Sequence, residues 1–296
     1  MKRNIDSFLE YMVVIREASA NTVAAYRRDL TRFSEDMAAR GADTPDAVTE
    51  AMLADYFFAL EKSDASQATL ARNMSSVRAF FRFLVENDDV QRNITDILEQ
   101  PKRRRNRPAV LTTEEIDRLL AAPDDGTPMG RRDRAILELL YASGLKAGEL
   151  TQLFPDDIDL RAAIVRVPAA EGKKAREIPF GEKARDALLS WIGKGRDRYV
   201  PTFTEAPLFV NTRGTGLTRQ SVWKIVKSYG EKAGIRREVT PGILRHSFAA
   251  HLMENGADAR SLTRMMGFTA QAQTAIYEDD EGARLREVYA RAQKRG

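Results

Sequence analysis

Two side chains in the C-terminal part of the chain could bring a guanidinium and a phenol to one phosphate. Arg245 lies in a helical run in which apolar residues recur at Leu244, Phe248 and Leu252, and a lone Tyr277 follows after two further short helical patterns. An arginine stays charged at any working pH and offers paired hydrogen bonds to phosphate oxygens. The pattern therefore indicates chemistry on a phosphate group.

The segment 240–277 resembles the tyrosine recombinase and integrase family, in particular its bacterial Xer type. Its Leu-Arg-His-Ser-Phe-Ala helix at 244–249 is similar to the family helix that contains an active-site arginine, and Tyr277 matches the nucleophilic tyrosine. The stretch Ser-x-Asn-Thr-Val-x-x-Tyr-Arg-Arg-Asp-Leu at 19–30 resembles the family's N-terminal DNA-binding domain. The resemblance implies DNA strand cleavage and rejoining through a phosphotyrosyl intermediate, without metal or cofactor.

Other family positions carry different residues in this chain. The first family arginine corresponds to Lys146 in Gly-Leu-Lys-Ala-Gly-Glu-Leu, the hairpin lysine to Glu171, and the two proton-transferring histidines to Gly242 and Phe268. Lysine keeps the charge but loses the bidentate geometry, and a carboxylate beside a phosphate is repulsive. Because such groups act in concert, these changes favour weak or absent cleavage.

Three functions stay open on these residues. The first is a DNA-binding relative of the recombinases with impaired strand cleavage, which the replaced positions favour. The second is an active site-specific recombinase, in which Lys173 or Lys174 takes the place of the hairpin lysine. The third, a purely structural helical protein, is remote because the resemblance covers nearly the whole chain. Both histidines of the chain, His246 and His251, are predicted to be structural.

Duplex DNA is the predicted partner, and its contacts are expected on both halves of the chain. Three features could together surround a duplex. They are basic side chains on N-terminal helices, a basic run between prolines, and a helix that begins with Thr-Arg-Gln. Taken singly, each of these charges is more often simply solvated. The predicted contacts are Arg27, Arg28, Arg72, Arg78, Arg103, Arg104, Arg105, Lys173, Lys174, Thr218, Arg219, Gln220 and Lys224.

The elements that position these residues are mainly helical. Hydrophobic periodicity and caps predict helices over 49–62, 66–87 and 131–143, a capping box at 112–115, and short strands over 158–167 and 177–180. The predicted fold is mainly α with a small β-sheet, with a basic linker over 101–108. The resemblance to the recombinase family implies an N-terminal helical SAM-like DNA-binding domain over 1–100 and a C-terminal tyrosine-recombinase catalytic-type domain over 109–296.

Composition narrows the class of protein. The 296 residues are 43% hydrophobic and 30% charged with a net charge of +4, which is typical of a globular protein. The absence of cysteine excludes disulfides and thiolate zinc sites and suits a cytoplasmic location, and no membrane segment is predicted. Motifs for nucleotide hydrolysis, zinc proteolysis and esterase chemistry do not occur. The C-terminal tail carries Leu285, Val288 and Tyr289 at one-face spacing and resembles the family's subunit-exchanging tail, which implies homo- or hetero-oligomers, up to a tetramer, on DNA. The alternative is a helix that docks on its own domain.

Overall fold

The chain folds into two compact units, Met1–Arg104 and Arg105–Gly296. The structure is a computed structural model that describes residues 1–63, 65–98, 109–169, 174–201, 205–268 and 274. The basic linker 101–108, Glu171, Lys173, Tyr277 and the C-terminal tail lie outside the described residues. The predictions made for them, including the limits of the linker, stay predictions.

The N-terminal unit is a helical bundle whose helices begin at hydroxyl caps. Ser19, Thr49 and Ser66 each accept a hydrogen bond from a backbone N–H of the first turn that follows, which satisfies a donor the helix itself leaves open. The described helices are α1 (Lys2–Val14), α2 (Ala20–Ala39), α3 (Glu50–Lys62) and α4 (Gln67–Glu86).

Helix α4 buries the apolar stripe that its sequence predicts. Val77, Phe80 and Leu84 have no exposed surface, and Phe81 is 1% exposed. Phe8 of α1 packs edge-on against Phe80 with ring centroids 5.7 Å apart, a favoured aromatic geometry. The core of this unit therefore forms where α1, α2 and α3 meet α4.

The C-terminal unit is mainly helical with one small sheet. Its described elements are α5 (Thr113–Ala121), α6 (Pro128–Ser143), α7 (Ala147–Leu150), β1 (Ile158–Asp159), β2 (Ile164–Val167), β3 (Arg176–Pro179), α8 (Glu182–Lys194), α9 (Arg219–Lys232), α10 (Pro241–Glu254) and α11 (Ala259–Met266). Helix α6 lies at its centre and packs against α8 and α10. The buried core includes Trp191, whose indole N–H donates to the Leu208 carbonyl at 2.9 Å.

Two helix starts test the sequence patterns of this unit. The capping box before α5 is confirmed, because Thr112 Oγ1 accepts the Glu115 N–H at 3.2 Å and Glu115 Oε2 accepts the Thr112 N–H at 3.0 Å. The predicted start of α6 at residue 131 is wrong. Thr127 caps the helix and Pro128 occupies its first turn, so the helix begins one turn earlier. Proline is tolerated there because the N–H groups of the first turn have no partner within the helix.

The sheet is antiparallel in the order β1-β2-β3, with Val165 opposite Ile178. The single strand predicted over 158–167 is wrong, since a turn divides it into β1 and β2. Asp159 Oδ1 accepts the N–H groups of Arg161 at 3.1 Å and Ala162 at 2.8 Å, which closes the turn locally. The predicted fold class, mainly α with a small sheet, is confirmed. Among the described helices, none combines the length and apolarity that a membrane crossing requires.

Candidate active site

Arg245 is a buried residue of α10 that joins the ends of two other helices. Thr240 caps α10 and Pro241 begins it, which places Arg245 in the second turn. Its Nη2 donates to the Met266 carbonyl at 2.6 Å, and its Nη1 donates to the Gly144 carbonyl. Both carbonyls lie at helix C-terminal ends, of α11 and α6, where backbone acceptors lack intrahelical partners and positive charge is favoured.

Lys146 lies beside the carbonyl that Arg245 binds. It follows Gly144, which ends α6 with a left-handed φ of 61°, and it caps the single turn of α7. A side chain at Gly144 would collide with Phe248, because an added Cβ would lie 2.4 Å from that ring. The backbone N–H of Lys146 donates to Glu149 Oε2 at 2.9 Å, and the residue is exposed.

Arg176 is a site residue that the sequence analysis did not identify. From β3 it binds both carboxylate oxygens of Glu149, at 3.1 Å through Nη1 and 2.8 Å through Nη2, and its Nε donates to the Met265 carbonyl at 2.9 Å. Its side chain is 8% exposed and that of Glu149 16%. Burial raises the pKa of Glu149, but hydrogen bonds from Arg176 and from the Lys146 backbone outweigh burial and hold it below the ordinary value.

These contacts close into one set, which we call the polar network. Arg176 and Arg245 bind two successive carbonyls at the end of α11, those of Met265 and Met266. Arg245 also binds the Gly144 carbonyl, and Arg176 binds Glu149, which accepts the backbone N–H of Lys146. Such charge-assisted hydrogen bonds contribute about 1.5–3 kcal/mol each. The members of the polar network are Gly144, Lys146, Glu149, Arg176, Arg245, Met265 and Met266.

The polar network holds three positions of the predicted site near one another. Lys146 is a member, Gly242 lies one turn before Arg245 on α10, and Phe268 follows Met266 by two residues. The Phe268 ring centroid lies 5.5 Å from Arg245 Cζ, which is a cation–π distance. The side chains that form the hydrogen bonds of the polar network, those of Glu149, Arg176 and Arg245, are therefore not the ones that differ from the family pattern.

Both histidines of the chain lie on α10. His251 Nδ1 lies 3.0 Å from the Tyr141 hydroxyl, which joins α10 to α6. His246 neighbours Arg245 on α10 and is partly buried, and burial together with the Arg245 charge lowers its pKa. The pairing of His251 with Tyr141 supports the helix-packing role that the sequence predicts for it.

A groove of about 1040 Å³ adjoins the site between the sheet and α11. Lys174, one of the predicted DNA contacts, is exposed and lines it. Its other charged lining residues include Arg166, Arg176, Arg260 and Arg264, with Asp157 and Glu177 as the acids. Basic side chains outnumber acidic ones, so the groove favours an anion.

Helix α9 carries the predicted Thr-Arg-Gln contact at its first turn. Thr218 Oγ1 accepts the Ser221 N–H at 3.1 Å, and Arg219 and Gln220 are exposed. The Arg219 stem passes over Gly148, where an added Cβ would lie 3.1 Å from its Cδ. Lys224 is also exposed on this helix. The start of α9 therefore adjoins α7, which Lys146 caps.

A buried charged cluster fixes α9 to α6. Asp133 Oδ1 accepts hydrogen bonds from Arg132 at 2.8 and 2.7 Å, and its Oδ2 accepts one from the Tyr229 hydroxyl at 3.1 Å. Burial raises the pKa of Asp133, and burial beside Asp133 raises the pKa of Tyr229 to about 12. Because α6 also ends at the polar network, it connects that network to the predicted DNA-contacting helix.

In the N-terminal unit, three predicted DNA-contacting arginines already have protein partners. Arg27 pairs with Asp6 at 2.7 Å, Arg72 with Asp29 at 2.8 Å, and Arg78 donates to the Leu98 carbonyl at 2.6 Å. Arg28 is exposed and has no ion pair among the described residues. These arginines therefore differ in how far the protein restricts them, although the sequence treats them alike.

Comparison with known proteins identifies the class to which this fold and site belong. The model of the phage integrase family matches residues 109–284, and that of the phage integrase N-terminal SAM-like domain matches residues 5–88. The chain therefore belongs to the phage integrase family and is a tyrosine recombinase by fold and sequence.

Within the family, the chain is similar to XerD. It is 37% identical over 287 residues to the tyrosine recombinase XerD of Listeria innocua, covering 96% of each chain. It is 35% identical over 289 residues to XerD of Staphylococcus haemolyticus, covering 98% of each. In fold it matches the XerH site-specific recombinase bound to its difH substrate, with a TM-score of 0.74, 22% identity, and coverage of 93% of this chain and 80% of that one.

Proposed function

We propose that this protein binds duplex DNA as an XerD-like member of the recombination machinery, and that strand cleavage through Tyr277 is weak or absent. The observation that carries the proposal is the combination of an intact polar network with replaced side chains at Lys146, Gly242 and Phe268. The network fixes the backbone near these three positions, and this supports a site geometry of the recombinase type. The side chains that would stabilise the transition state and move protons are different.

At two of the replaced positions, Gly242 and Phe268, the side chain itself cannot move a proton. Phe268 offers its aromatic face to Arg245 and has no titratable group, and Gly242 has no side chain at all. Lys146 can still bind a phosphate as a point charge but cannot grip two of its oxygens as a guanidinium does. Proton transfer by a positioned group contributes about 10²–10⁴ in rate, so these absences are expected to be costly.

Binding to DNA depends on different residues, and these are present. The exposed Arg219, Gln220 and Lys224 of α9 suit contacts to phosphates or base edges. The basic linker residues Arg103, Arg104 and Arg105 and the N-terminal arginines would add phosphate contacts. The XerH recombinase, which shares this fold, is bound to its difH substrate in its crystal structure, and this supports DNA as the partner of the present chain as well.

Assembly on DNA is a further part of the proposal. The tail carries Leu285, Val288 and Tyr289 at one-face spacing, which is typical of a short amphipathic helix. We infer that it passes to a neighbouring subunit in complexes of up to four copies, either of this chain or with a partner recombinase. The alternative is that it docks on its own unit.

A suicide DNA substrate separates weak cleavage from efficient cleavage. The full-length protein is incubated with a duplex that carries a nick beside the cleavage site of an XerD-type target, and covalent adducts are resolved by denaturing electrophoresis. We expect DNA binding with little or no adduct, and Tyr277→Phe as the matched control should bind equally. Abundant adduct that disappears in Tyr277→Phe would show instead an active site-specific recombinase.

A further inference from the structure

A buried carboxylate of the N-terminal unit is paired with an arginine that is partly exposed. Asp29 of α2 has a side chain that is 5% exposed, and Arg72 of α4 has one that is 42% exposed. Arg72 Nε donates to Asp29 Oδ2 at 2.9 Å and its Nη2 donates to Oδ1 at 2.8 Å. The acid is therefore inside the protein, whereas much of the base faces solvent.

This pair leaves part of the Arg72 guanidinium available. A guanidinium has five N–H donors, and Asp29 accepts from only two of them. Among the described residues, Nη1 of Arg72 makes no hydrogen bond. Because the two bonds to a buried partner fix the plane of the group, its remaining donors are presented to solvent in one orientation.

The surrounding charges make a purely structural role for Asp29 unexpected. Arg28 and Arg32 on the same helix are exposed, and neither has an ion pair among the described residues. Burial of the Asp29 carboxylate costs desolvation free energy, and pairing with Arg72 offsets that cost more than it adds net stability. A carboxylate beside such a basic surface would also weaken the attraction of an anion by charge alone.

The contact between Arg27 and Asp6 provides a contrast on the same unit. It is a single bond of 2.7 Å between side chains that are 56% and 60% exposed. Such an exposed pair restricts its arginine little, because solvent competes and the long side chain keeps its rotamer freedom. Asp6 therefore supplies a matched carboxylate that lowers the local charge without fixing a guanidinium.

We propose that Asp29 is a positioning residue for DNA binding, which holds the Arg72 guanidinium so that its free donors bind a phosphate oxygen of duplex DNA. The inference rests on the proposed function, since it requires that the chain binds DNA. Ordering a long side chain on binding costs about 0.5–1.5 kcal/mol, which Asp29 removes in advance. Asp29, although negatively charged, would thus strengthen the binding of DNA, a polyanion.

The test relies on one difference: for Asp29→Asn, the loss of charge predicts a higher affinity for DNA, whereas the loss of positioning predicts a lower one. Affinity of the full-length protein for a fluorescein-labelled duplex of random sequence is measured by anisotropy for wild type, Asp29→Asn and Asp6→Asn. Each variant removes one negative charge, so charge alone predicts tighter binding by both. Positioning predicts that Asp29→Asn weakens binding by about two- to tenfold, the rotamer cost above, while Asp6→Asn binds as tightly as wild type or more tightly.

A cycle with Arg72 shows whether Asp29 acts through it. In an Arg72→Gln background, Asp29→Asn should cause no further loss of affinity. Arg72→Lys keeps a positive partner for Asp29 and so preserves the fold. It should bind DNA less tightly than wild type, and this result tests the inference even if Asp29→Asn fails to fold. The inference about Asp29 is overturned if Arg72→Lys binds DNA as tightly as wild type, or if a folded Asp29→Asn binds it more tightly. The proposed function would stand in either case. Failure of the wild type to bind DNA at low salt overturns the proposed function together with this inference.

Discussion

The replaced positions can be restored together, because the polar network holds the backbone near Lys146, Gly242 and Phe268, the three that the structure describes. The perturbation is the combined variant Lys146→Arg, Glu171→Lys, Gly242→His and Phe268→His. At Gly242 the nearest atom to an added Cβ is Thr240 Oγ1 at 3.6 Å, an ordinary contact, so a side chain fits. Phe268→His exchanges one planar ring for another beside Arg245.

The expected gain follows from the chemistry of each restored group. A positioned proton donor or acceptor contributes about 10²–10⁴ in rate, and one transition-state hydrogen-bond donor about 10²–10³. Because groups that act as a unit are not additive, single restorations should change the rate little. We expect the combined variant to form the phosphotyrosyl adduct at least about 10²-fold faster than wild type, the lower limit for one proton-transfer group.

The assay is single-turnover adduct formation on the suicide substrate at saturating protein. Adding Tyr277→Phe to the combined variant should abolish the adduct. A second control replaces Glu171→Lys by Glu177→Lys, which makes the same charge change at an exposed position of β3. This control should not show the gain, because a general acid must be placed at the leaving oxygen.

Two results would refute this reasoning. If the combined variant binds DNA and is folded but forms no more adduct than wild type, then the polar network does not preserve a recombinase geometry. If the Glu177→Lys control gains as much as the combined variant, then added positive charge rather than a positioned acid explains the effect.

Other perturbations test the binding, assembly and electrostatics of the protein. Affinity for duplex DNA should fall steeply with salt, with a log-log slope of about −0.9 per phosphate contact, and replacing Arg103, Arg104 and Arg105 by glutamine should flatten it. A salt-independent affinity in an anisotropy titration would contradict the phosphate contacts. Truncation after Gly282 should leave folding and single-site binding intact and weaken cooperative occupancy of paired sites; unchanged cooperativity in a band-shift titration would exclude subunit exchange. Because the folded-state pKa of Glu149 is held below 4.5, its contribution to stability is complete above pH 4.5 and is lost as pH falls through that lower pKa. The difference in Tm between wild type and Glu149→Gln should therefore be constant above that pH and shrink below it, and a difference that persists into the acid range would be inconsistent with the bond to Arg176.

Local patterns were sufficient for most elements of the fold. The capping box at Thr112 and the apolar stripe of α4 depend on residues three or four apart, and such spacings are visible along the chain. The divided strand was missed because the side chain of Asp159 binds the backbone N–H groups of Arg161 and Ala162, and this turn competes with strand geometry.

The sequence by itself determined the family and the side chains available for chemistry, since both are matters of residue type at motif positions. Only the tertiary structure decided which charges are joined. Arg176 binds Glu149, Arg245 binds the carbonyls of Gly144 and Met266, and Arg72 binds Asp29. These partners are far apart along the chain and follow no period. A charged residue that becomes buried needs a partner, and this need follows from its residue type alone. Which partner the residue meets depends on how distant elements pack.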